Sequence, residues 1–318
     1  MFCKMLRFLS QKLSWSMPIV MLIGLIYGYY YPTDFLKILV LPFTLLMVYP
    51  IMVNLQVKKL LKIKNFKLHI FTQFINFAVI PAIAFLLGKY FFAEQPILFL
   101  GLLLIALLPT SGMTISWTGF ANGNITAAVI MTVIGLLLGS LLAPFYIKFL
   151  LGTSIEIPIL NIFKQVFFII FLPLILGQIT RFILIKKFGQ KKYDENLKYK
   201  FPVISSFGGL GVVFVAIALR SKVIFSSPAL VGKIFTSVVL LYVFSFIVTF
   251  FISKKFFEKR DCVAVVYGSV MRNLTVALAI VMMAFGPNAA DAALVISVAL
   301  IVQVQVGSML LGYFKKRI

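Results

Sequence analysis

Ten long apolar stretches follow one another along the chain, and this pattern constrains the fold more than any other feature. About 20 apolar residues cross a lipid bilayer as a helix. Hydrophobic residues make up 62% of the 318 residues and charged residues only 12%, which is more apolar surface than a soluble domain buries. The sequence therefore predicts an all-α integral membrane protein with spans at 15–31, 35–55, 68–92, 96–121, 125–150, 158–185, 201–219, 229–252, 262–285 and 289–314.

The basic residues are distributed unequally between the two sides of these spans. The chain carries a net charge of +22. Twenty-two Lys and Arg lie at the termini and around the loops after the second, sixth and eighth spans, whereas seven lie on the opposite side. An excess of Lys and Arg marks the cytoplasmic side. Both termini are therefore predicted to be cytoplasmic, in a plasma or inner membrane, and no nucleic-acid partner is expected.

The ten predicted spans divide into two halves of five. Residues 1–150 hold the first five spans and residues 151–318 hold the others. Because five is an odd number, the second half enters the membrane from the opposite side to the first. Inverted repeats of this kind are common in secondary transporters. We therefore predict two inverted five-helix repeats, one in each half.

The fourth span contains helix-breaking residues and hydroxyls close together. Its sequence from position 109 is Pro-Thr-Ser-Gly-Met-Thr, and we predict a helix break at Pro109 and Gly112. Such a break is tolerated in a membrane only where it is buried in protein or lines a cavity. The alternative is a simple kink in which the hydroxyls bond to the preceding turn; the clustering favours a discontinuous helix.

The ninth span carries an arginine at the corresponding place of the second half. Arg272 lies eleven residues beyond Asp261, which is ~16 Å along a helix. A charge at the centre of a membrane helix costs roughly 2.5–3.5 kcal/mol, and none of the eight acidic residues lies at a comparable depth. Backbone carbonyls of broken helices could satisfy this arginine. We favour the alternative that it awaits an anionic or polar substrate.

A pair of interrupted spans at matching places in two halves indicates the binding site of a transporter. The N-termini of the half-helices would add partial positive charge there. Neutral oxygens in neighbouring spans form a weak candidate set for a coupling ion, namely Gln73, Thr114 and Thr132. The predicted substrate-binding residues are Thr110, Ser111, Thr114, Ser269, Arg272, Asn273 and Gln303.

Catalytic and metal-binding patterns are missing from the sequence. The single histidine, His69, lies beside a basic loop, and no His, Cys and Asp cluster has the spacing of a metal site. No carboxylate pair within the spans could perform acid–base chemistry. We therefore expect no enzyme, no cofactor and no metal. Gly208, Gly209 and Gly211 in the seventh span are predicted to allow close helix packing. A passive channel stays an alternative, although no filter-like repeat is present.

Around the two interruptions the sequence resembles the bile acid:sodium symporter and arsenite permease superfamily. The resemblance covers roughly residues 15–314 and is strongest for the permease branch. The segment 109–113 followed by Trp117 is similar to that branch's Pro-Cys-Thr-Ala-Met motif with a later Trp. Residues 271–273 are similar to its Ser-Arg-Asn motif, and residues 172–181 to its sixth helix. The resemblance implies ten helices, inverted five-helix halves, and discontinuous fourth and ninth helices that cross.

Several functional positions of that superfamily are occupied differently here. The arsenite-handling Cys falls on Thr110 and a Glu of the tenth helix on Gln303. On the bile-acid side, a sodium-binding Glu falls near Gly268 and the following Gln near Arg272. We therefore predict a secondary active transporter of a small organic anion, independent of sodium and driven by protons or exchange. An arsenite or antimonite efflux permease and a sodium-coupled organic anion symporter are the alternatives. The expected partners are the anionic solute and membrane lipid; the oligomeric state does not follow.

Overall fold

A computed structural model describes residues 13–57, 65–152, 163–164, 166–285 and 290–317. Within these ranges the chain is helical apart from short connections, and no β-strand is present. The longer helices are α1 (Leu13–Tyr30), α2 (Val40–Asn54), α3 (Phe66–Phe92), α4 (Pro96–Leu107), α5 (Gly112–Phe120), α6 (Ile125–Leu151), α7 (Phe167–Phe188), α8 (Lys200–Ser226), α9 (Pro228–Phe256), α10 (Lys259–Val270), α11 (Leu274–Ala284) and α12 (Ala290–Arg317).

Shorter helical turns join or interrupt these elements. A 3₁₀ turn at Asp34–Leu39 leads into α2, and π turns occur at Ile75–Val79 within α3 and at Phe167–Phe171 at the start of α7. A helical turn at Gln190–Lys192 and a π turn at Tyr193–Leu197 precede α8. The π turn in α3 contains Asn76, and π turns often occur at functional positions.

Seven helical segments among the described residues are long and apolar enough to cross a membrane. Three shorter apolar helices lie at Pro18–Tyr30, Pro96–Leu107 and Leu274–Ala284, within the remaining predicted spans. This confirms a helical protein that crosses the membrane several times. The count of ten spans and the inverted repeats stay predictions, as do the two halves 1–150 and 151–318. The N-terminal basic residues that contribute to the predicted orientation lie outside the described residues.

Helix α8 extends beyond the predicted end of the seventh span. The span was expected to end at residue 219, whereas α8 continues to Ser226. Arg220 and Lys222 therefore lie in a helix rather than in a loop. Within the helix, Arg220 forms a half-buried salt bridge with Asp291, 2.6 Å from Nη2 to Oδ2. This pairing offsets part of the cost of burying the two charges. The next helix begins at Pro228, and the residue before a proline disfavours helical backbone.

The chain divides into two compact units, each assembled from several stretches. The first unit contains residues 1–55, 160–228 and 278–294, and the second contains residues 56–159, 229–277 and 295–318. In the first unit α8 packs against α1 and α2, and α7 packs against α2. A Cβ atom at Gly208 would lie 2.5 Å from the Met47 nitrogen, and one at Gly211 would lie 2.6 Å from the Phe43 ring. The predicted packing role of this glycine segment is confirmed.

The second unit contains both interruptions. Helix α4 packs against α3 and α6, and α10 packs against α3, α5 and α6. Helix α6 has two glycines one turn apart that face the end of α4. A Cβ atom at Gly139 would lie 2.9 Å from the Leu107 carbonyl oxygen, and one at Gly135 would lie 2.5 Å from Thr110 Oγ1. These glycines let an irregular backbone approach α6 closely, as small residues do between membrane helices.

Candidate functional site

Two non-helical segments cross in the second unit and pair with each other. The first joins α4 to α5, and the second joins α10 to α11. The Thr110 amide donates to the Met271 carbonyl oxygen at 2.9 Å, and the Asn273 amide donates to that of Leu108 at 2.8 Å. Together these bonds make an isolated antiparallel bridge between Pro109 and Arg272. Each interruption therefore supplies hydrogen-bond partners for the other, as an apolar environment requires.

Local chemistry explains why the chain breaks after α4. Pro109 has no amide hydrogen and disfavours helical backbone at the preceding residue. Thr110 has a φ of 61°, a left-handed conformation that costs roughly 1–2 kcal/mol for a residue with a Cβ. Its hydroxyl donates to the Pro109 carbonyl oxygen at 2.6 Å and lies 3.4 Å from the carbonyl oxygens of Met131 and Thr132 in α6. Gly112 is the first residue of α5 and has no positive φ.

Ser111 and Thr114 begin the next helix. The Ser111 hydroxyl accepts from the Met113 amide at 3.2 Å, and the Thr114 hydroxyl accepts from the Ser111 amide at 3.0 Å. This reciprocal pair is a capping box, which satisfies amides that a helix start leaves unpaired. Both side chains were predicted to bind substrate, and in the structure both form hydrogen bonds that cap the N-terminus of α5.

The second interruption is held by a side chain from α12. Gln303 Oε1 accepts from the Arg272 amide at 2.6 Å, and Gln303 Nε2 donates to the Arg272 carbonyl oxygen at 3.2 Å. Gln303 Oε1 also accepts from the Tyr242 hydroxyl of α9 at 2.8 Å. Asn273 Oδ1 accepts from the Val276 amide at 3.3 Å and so caps α11. Gln303 and Asn273 therefore contact the backbone of this crossing directly.

The Arg272 side chain is buried beside the crossing, with 2% of the residue exposed. Nη1 donates to Asn76 Oδ1 at 3.3 Å, while Nη2 has no hydrogen-bond partner among the described residues. Asn76 lies in the π turn of α3, and its Nδ2 donates to the Gly268 carbonyl oxygen at 3.0 Å. No carboxylate in the described part of the chain forms a salt bridge with Arg272. One guanidinium edge is thus buried without a counter-charge.

The polar residues predicted to bind an ion or substrate differ in whether their side chains already form hydrogen bonds. The Thr132 hydroxyl donates to the Ala128 carbonyl oxygen at 2.8 Å, and the Thr114 hydroxyl belongs to the capping box. Both amide atoms of Gln73 and the hydroxyl of Ser269 are buried without a hydrogen-bond partner among the described residues. Two predicted ion-binding or substrate-binding side chains therefore keep free polar atoms, and two are occupied.

Three features of the crossing were not predicted from the sequence. Tyr242 gives no signal, because a tyrosine within an apolar helix is usual. Asn76 is one of the polar residues expected to support the site from the third span, but its contact with Arg272 was not predicted, because the two residues lie far apart in the chain. The pair Gly135 and Gly139 has the spacing of a small-residue packing motif, so this signal was available. Among the described residues, no three His, Cys, Asp or Glu side chains come together as a metal site.

The chain matches a family model and several characterised proteins. Residues 41–227 match the model of the Sodium Bile acid symporter family. Sodium/bile acid cotransporter 7-A of Xenopus laevis is 28% identical over 232 residues, covering 69% of this chain and 64% of that protein. Sodium/bile acid cotransporter 7 of Mus musculus is 26% identical over 267 residues, covering 79% and 75%. Arsenical-resistance protein Acr3 of Corynebacterium glutamicum is 25% identical over 264 residues, covering 78% and 70%.

Proposed function

The chain belongs to the Sodium Bile acid symporter family, and on this premise we propose that it is a secondary active transporter of a small organic anion. The family resemblance expected from the two interruptions is confirmed by the matches. These matches do not identify the substrate class. The proposal of an organic anion rests on one observation, namely that the guanidinium of Arg272 is buried and incompletely paired.

The charge of Arg272 is the reason to propose an anion. A guanidinium has five N–H donors, and within the described residues this side chain donates one hydrogen bond, to the neutral amide of Asn76. A carboxylate, sulfonate or similar anion could accept from Nη2 in a short, charge-assisted hydrogen bond. Such a ligand would offset the cost of the buried charge.

The half-helices add to the same electrostatic preference. Helices α5 and α11 both begin at the crossing, with Gly112 and Leu274 as their first residues. The N-terminus of a helix carries roughly half a positive charge, and transporters direct such ends toward anionic groups. Because Arg272 is almost completely buried in this conformation, the anion would reach it through a rearrangement. We propose that residues 1–150 and 151–318 are inverted five-helix repeats, each of which contributes one of the two interrupted segments to the crossing.

Replacing Arg272 tests the proposal. A thermal-shift screen of the purified protein against carboxylates and sulfonates would first identify a ligand, whose exchange is then followed in proteoliposomes. We expect Arg272→Gln to lower ligand affinity and initial exchange rate at least thirtyfold, because losing a buried charge pair costs roughly 2–5 kcal/mol. Arg272→Lys should recover part of the exchange, since it restores the charge without the planar fork.

The control for this experiment is Lys233→Gln, which removes one exposed positive charge from α9. It should exchange substrate at the wild-type rate. Every variant is checked for monodisperse behaviour by size-exclusion chromatography, so that a folding defect is recognised. If Arg272→Gln inserts normally and exchanges the anion as fast as wild type, the proposal is wrong.

We further propose that transport does not require sodium. In the part of the chain that the structure describes, the crossing has no carboxylate to offset a cation, and Arg272 carries the same charge as sodium. The relatives named as sodium/bile acid cotransporters support the sodium-coupled alternative. Transport measured with and without external sodium separates these possibilities.

A second candidate function is arsenite or antimonite efflux, which the similarity to an arsenical-resistance protein favours. The chemistry at the crossing argues against it. Thr110 stands where the permease branch has its cysteine, and its hydroxyl is bonded to the backbone. Soft thiolate sulfur is the ligand that a metalloid of this kind prefers. Expression in arsenite-sensitive cells decides the matter: we expect no protection, and protection at wild-type expression would favour efflux.

A further inference from the structure

A pocket of about 500 Å³ lies in the second unit, where the end of α9, the start of α10 and the end of α12 meet. Four aromatic residues form much of its lining, namely Phe250, Phe257, Tyr313 and Phe314. Two exposed lysines, Lys254 and Lys259, complete one side. The pocket is separate from the crossing described above and shares no residue with it.

The lining combines an apolar surface with uncompensated positive charge. Lys254 Nζ lies 5.9 Å from the centre of the Phe250 ring, and Lys259 is the first residue of α10. Neither lysine forms a salt bridge with a described residue. The nearby carboxylate of Asp261 accepts hydrogen bonds from the amides of Asn65 and Asn124, and the exposed Glu258 does not line the pocket. This chemistry fits an amphiphile with an anionic head.

The predicted side of the membrane on which the pocket lies indicates the source of such an amphiphile. It lies at the helix ends that the distribution of Lys and Arg predicts to be cytoplasmic. Anionic phospholipids of the cytoplasmic leaflet attract basic groups at this level, and aromatic side chains favour the interface. The basic N-terminal residues Lys4, Arg7 and Lys12 carry the wrong charge to occupy the pocket.

We propose that this pocket binds one anionic phospholipid of the surrounding leaflet. The phosphate contacts Lys254 and Lys259, and the glycerol with the first acyl carbons lies against Phe250, Tyr313 and Phe314. The lipid would thereby connect the ends of α9, α10 and α12 within the second unit. This proposal does not depend on Arg272 or on the identity of the transported solute.

Lipid titration of the purified full-length protein in neutral detergent tests the proposal. Phosphatidylglycerol is compared with phosphatidylcholine of the same acyl chains, with inorganic phosphate and with glycerol phosphate, and binding is followed by native mass spectrometry and by thermal unfolding. We expect saturable binding of one phosphatidylglycerol and a rise in unfolding temperature. The other three ligands should bind at least tenfold more weakly, because inorganic phosphate and glycerol phosphate lack the acyl chains, and the quaternary ammonium of phosphatidylcholine cancels the negative charge of its phosphate.

The variant Lys254→Gln/Lys259→Gln should weaken phosphatidylglycerol binding roughly thirtyfold, since each basic group near a lipid headgroup contributes about a fivefold effect. The matched control, Lys255→Gln/Arg260→Gln, removes the same charge from exposed residues that do not line the pocket and should change binding less than threefold. Equal losses in both variants, or equal binding of phosphatidylcholine, would overturn the proposal.

A second measurement covers the case in which the double variant does not fold. A photoactivatable phosphatidylglycerol is cross-linked to the wild-type protein, and the labelled peptides are identified by mass spectrometry. Labels within residues 250–263 and 313–314 that unlabelled phosphatidylglycerol removes would support the pocket. Labels spread along all lipid-facing helices, or strong labelling by free phosphate analogues alone, would contradict it.

Discussion

The side-chain amide of Gln303 forms two hydrogen bonds with the backbone of one residue, Arg272. Its oxygen accepts from the Arg272 amide, and its nitrogen donates to the Arg272 carbonyl oxygen. The arrangement replaces hydrogen bonds that the interrupted helix has lost. The Tyr242 hydroxyl donates to the same amide oxygen and so restrains its orientation. Because an unpaired backbone group buried in protein costs roughly 1–3 kcal/mol, we infer that Gln303 contributes to the stability of the crossing. A role in substrate binding would be additional.

We therefore expect Gln303→Leu to destabilise the protein by roughly 2–5 kcal/mol, since it leaves the Arg272 amide and carbonyl unpaired. Tyr242→Phe is the matched control at the same amide. It removes one hydrogen bond without leaving a backbone group unpaired, and should cost about 1 kcal/mol. Thermal unfolding of the purified variants in detergent measures the difference. Equal unfolding temperatures for the two variants would show that the backbone contacts of Gln303 contribute little.

Helix α6 supports the interruption between α4 and α5. Gly135 and Gly139 bring α6 close to Thr110 and to the Leu107 carbonyl. The Thr110 hydroxyl cannot easily move aside, because it donates to the Pro109 carbonyl oxygen and lies near two carbonyls of α6. A side chain on this face of α6 would therefore push the crossing away.

For this reason Gly135→Ala should lower stability by about 1–3 kcal/mol, which is typical of overpacking. It should also reduce anion exchange, since the crossing shifts. The control is Gly232→Ala on α9, where a Cβ atom would meet nothing within 4 Å. There the higher helix propensity of alanine should leave stability unchanged or raise it by up to about 1 kcal/mol. Unfolding temperatures and exchange rates of the two alanine variants provide the comparison. Similar values for both would refute close packing at Gly135.

The balance of positive and negative charge at the crossing determines whether the protein can bind a cation such as sodium. Apart from Arg272, the residues proposed to bind an ion or substrate that keep unpartnered polar atoms are Gln73 and Ser269, and both are neutral. Cation sites in proteins gather several oxygen ligands, usually with carboxylates among them. A sodium ion ~5 Å from Arg272 would be repelled by about 3 kcal/mol at an effective dielectric constant of 20, or roughly a hundredfold in affinity.

Replacing external sodium with choline at fixed pH and membrane potential should accordingly leave the transport rate unchanged. The assay uses proteoliposomes and the ligand from the thermal-shift screen. Imposing a proton gradient, or loading the vesicles with unlabelled substrate, should accelerate uptake of labelled substrate, since these are the proposed driving forces. A steep sodium dependence that saturates would mean that neutral oxygens suffice for a cation despite Arg272.

The membrane class, the family and the positions of irregular backbone could all be predicted from the sequence. The membrane class and the break at Pro109 depend on local features, namely the length of the apolar stretches and the missing amide of the proline. The family and the interruption of the ninth span followed from the resemblance of residues 109–117 and 271–273 to known motifs. The salt bridge between Arg220 and Asp291 could not be predicted, because the two residues lie 71 positions apart in the chain.

The arrangement of the candidate site was decided by tertiary structure. Asn76 meets Arg272 across 196 positions of sequence, and Gln303 meets it across 31. Several side chains predicted to face a ligand, among them Thr114 and Gln303, instead contact backbone. Most buried polar groups form hydrogen bonds, so a polar residue type within an apolar span indicates that a partner is needed. Which partner it finds depends on which helices pack together, and that packing results from shape and close approach over the whole chain.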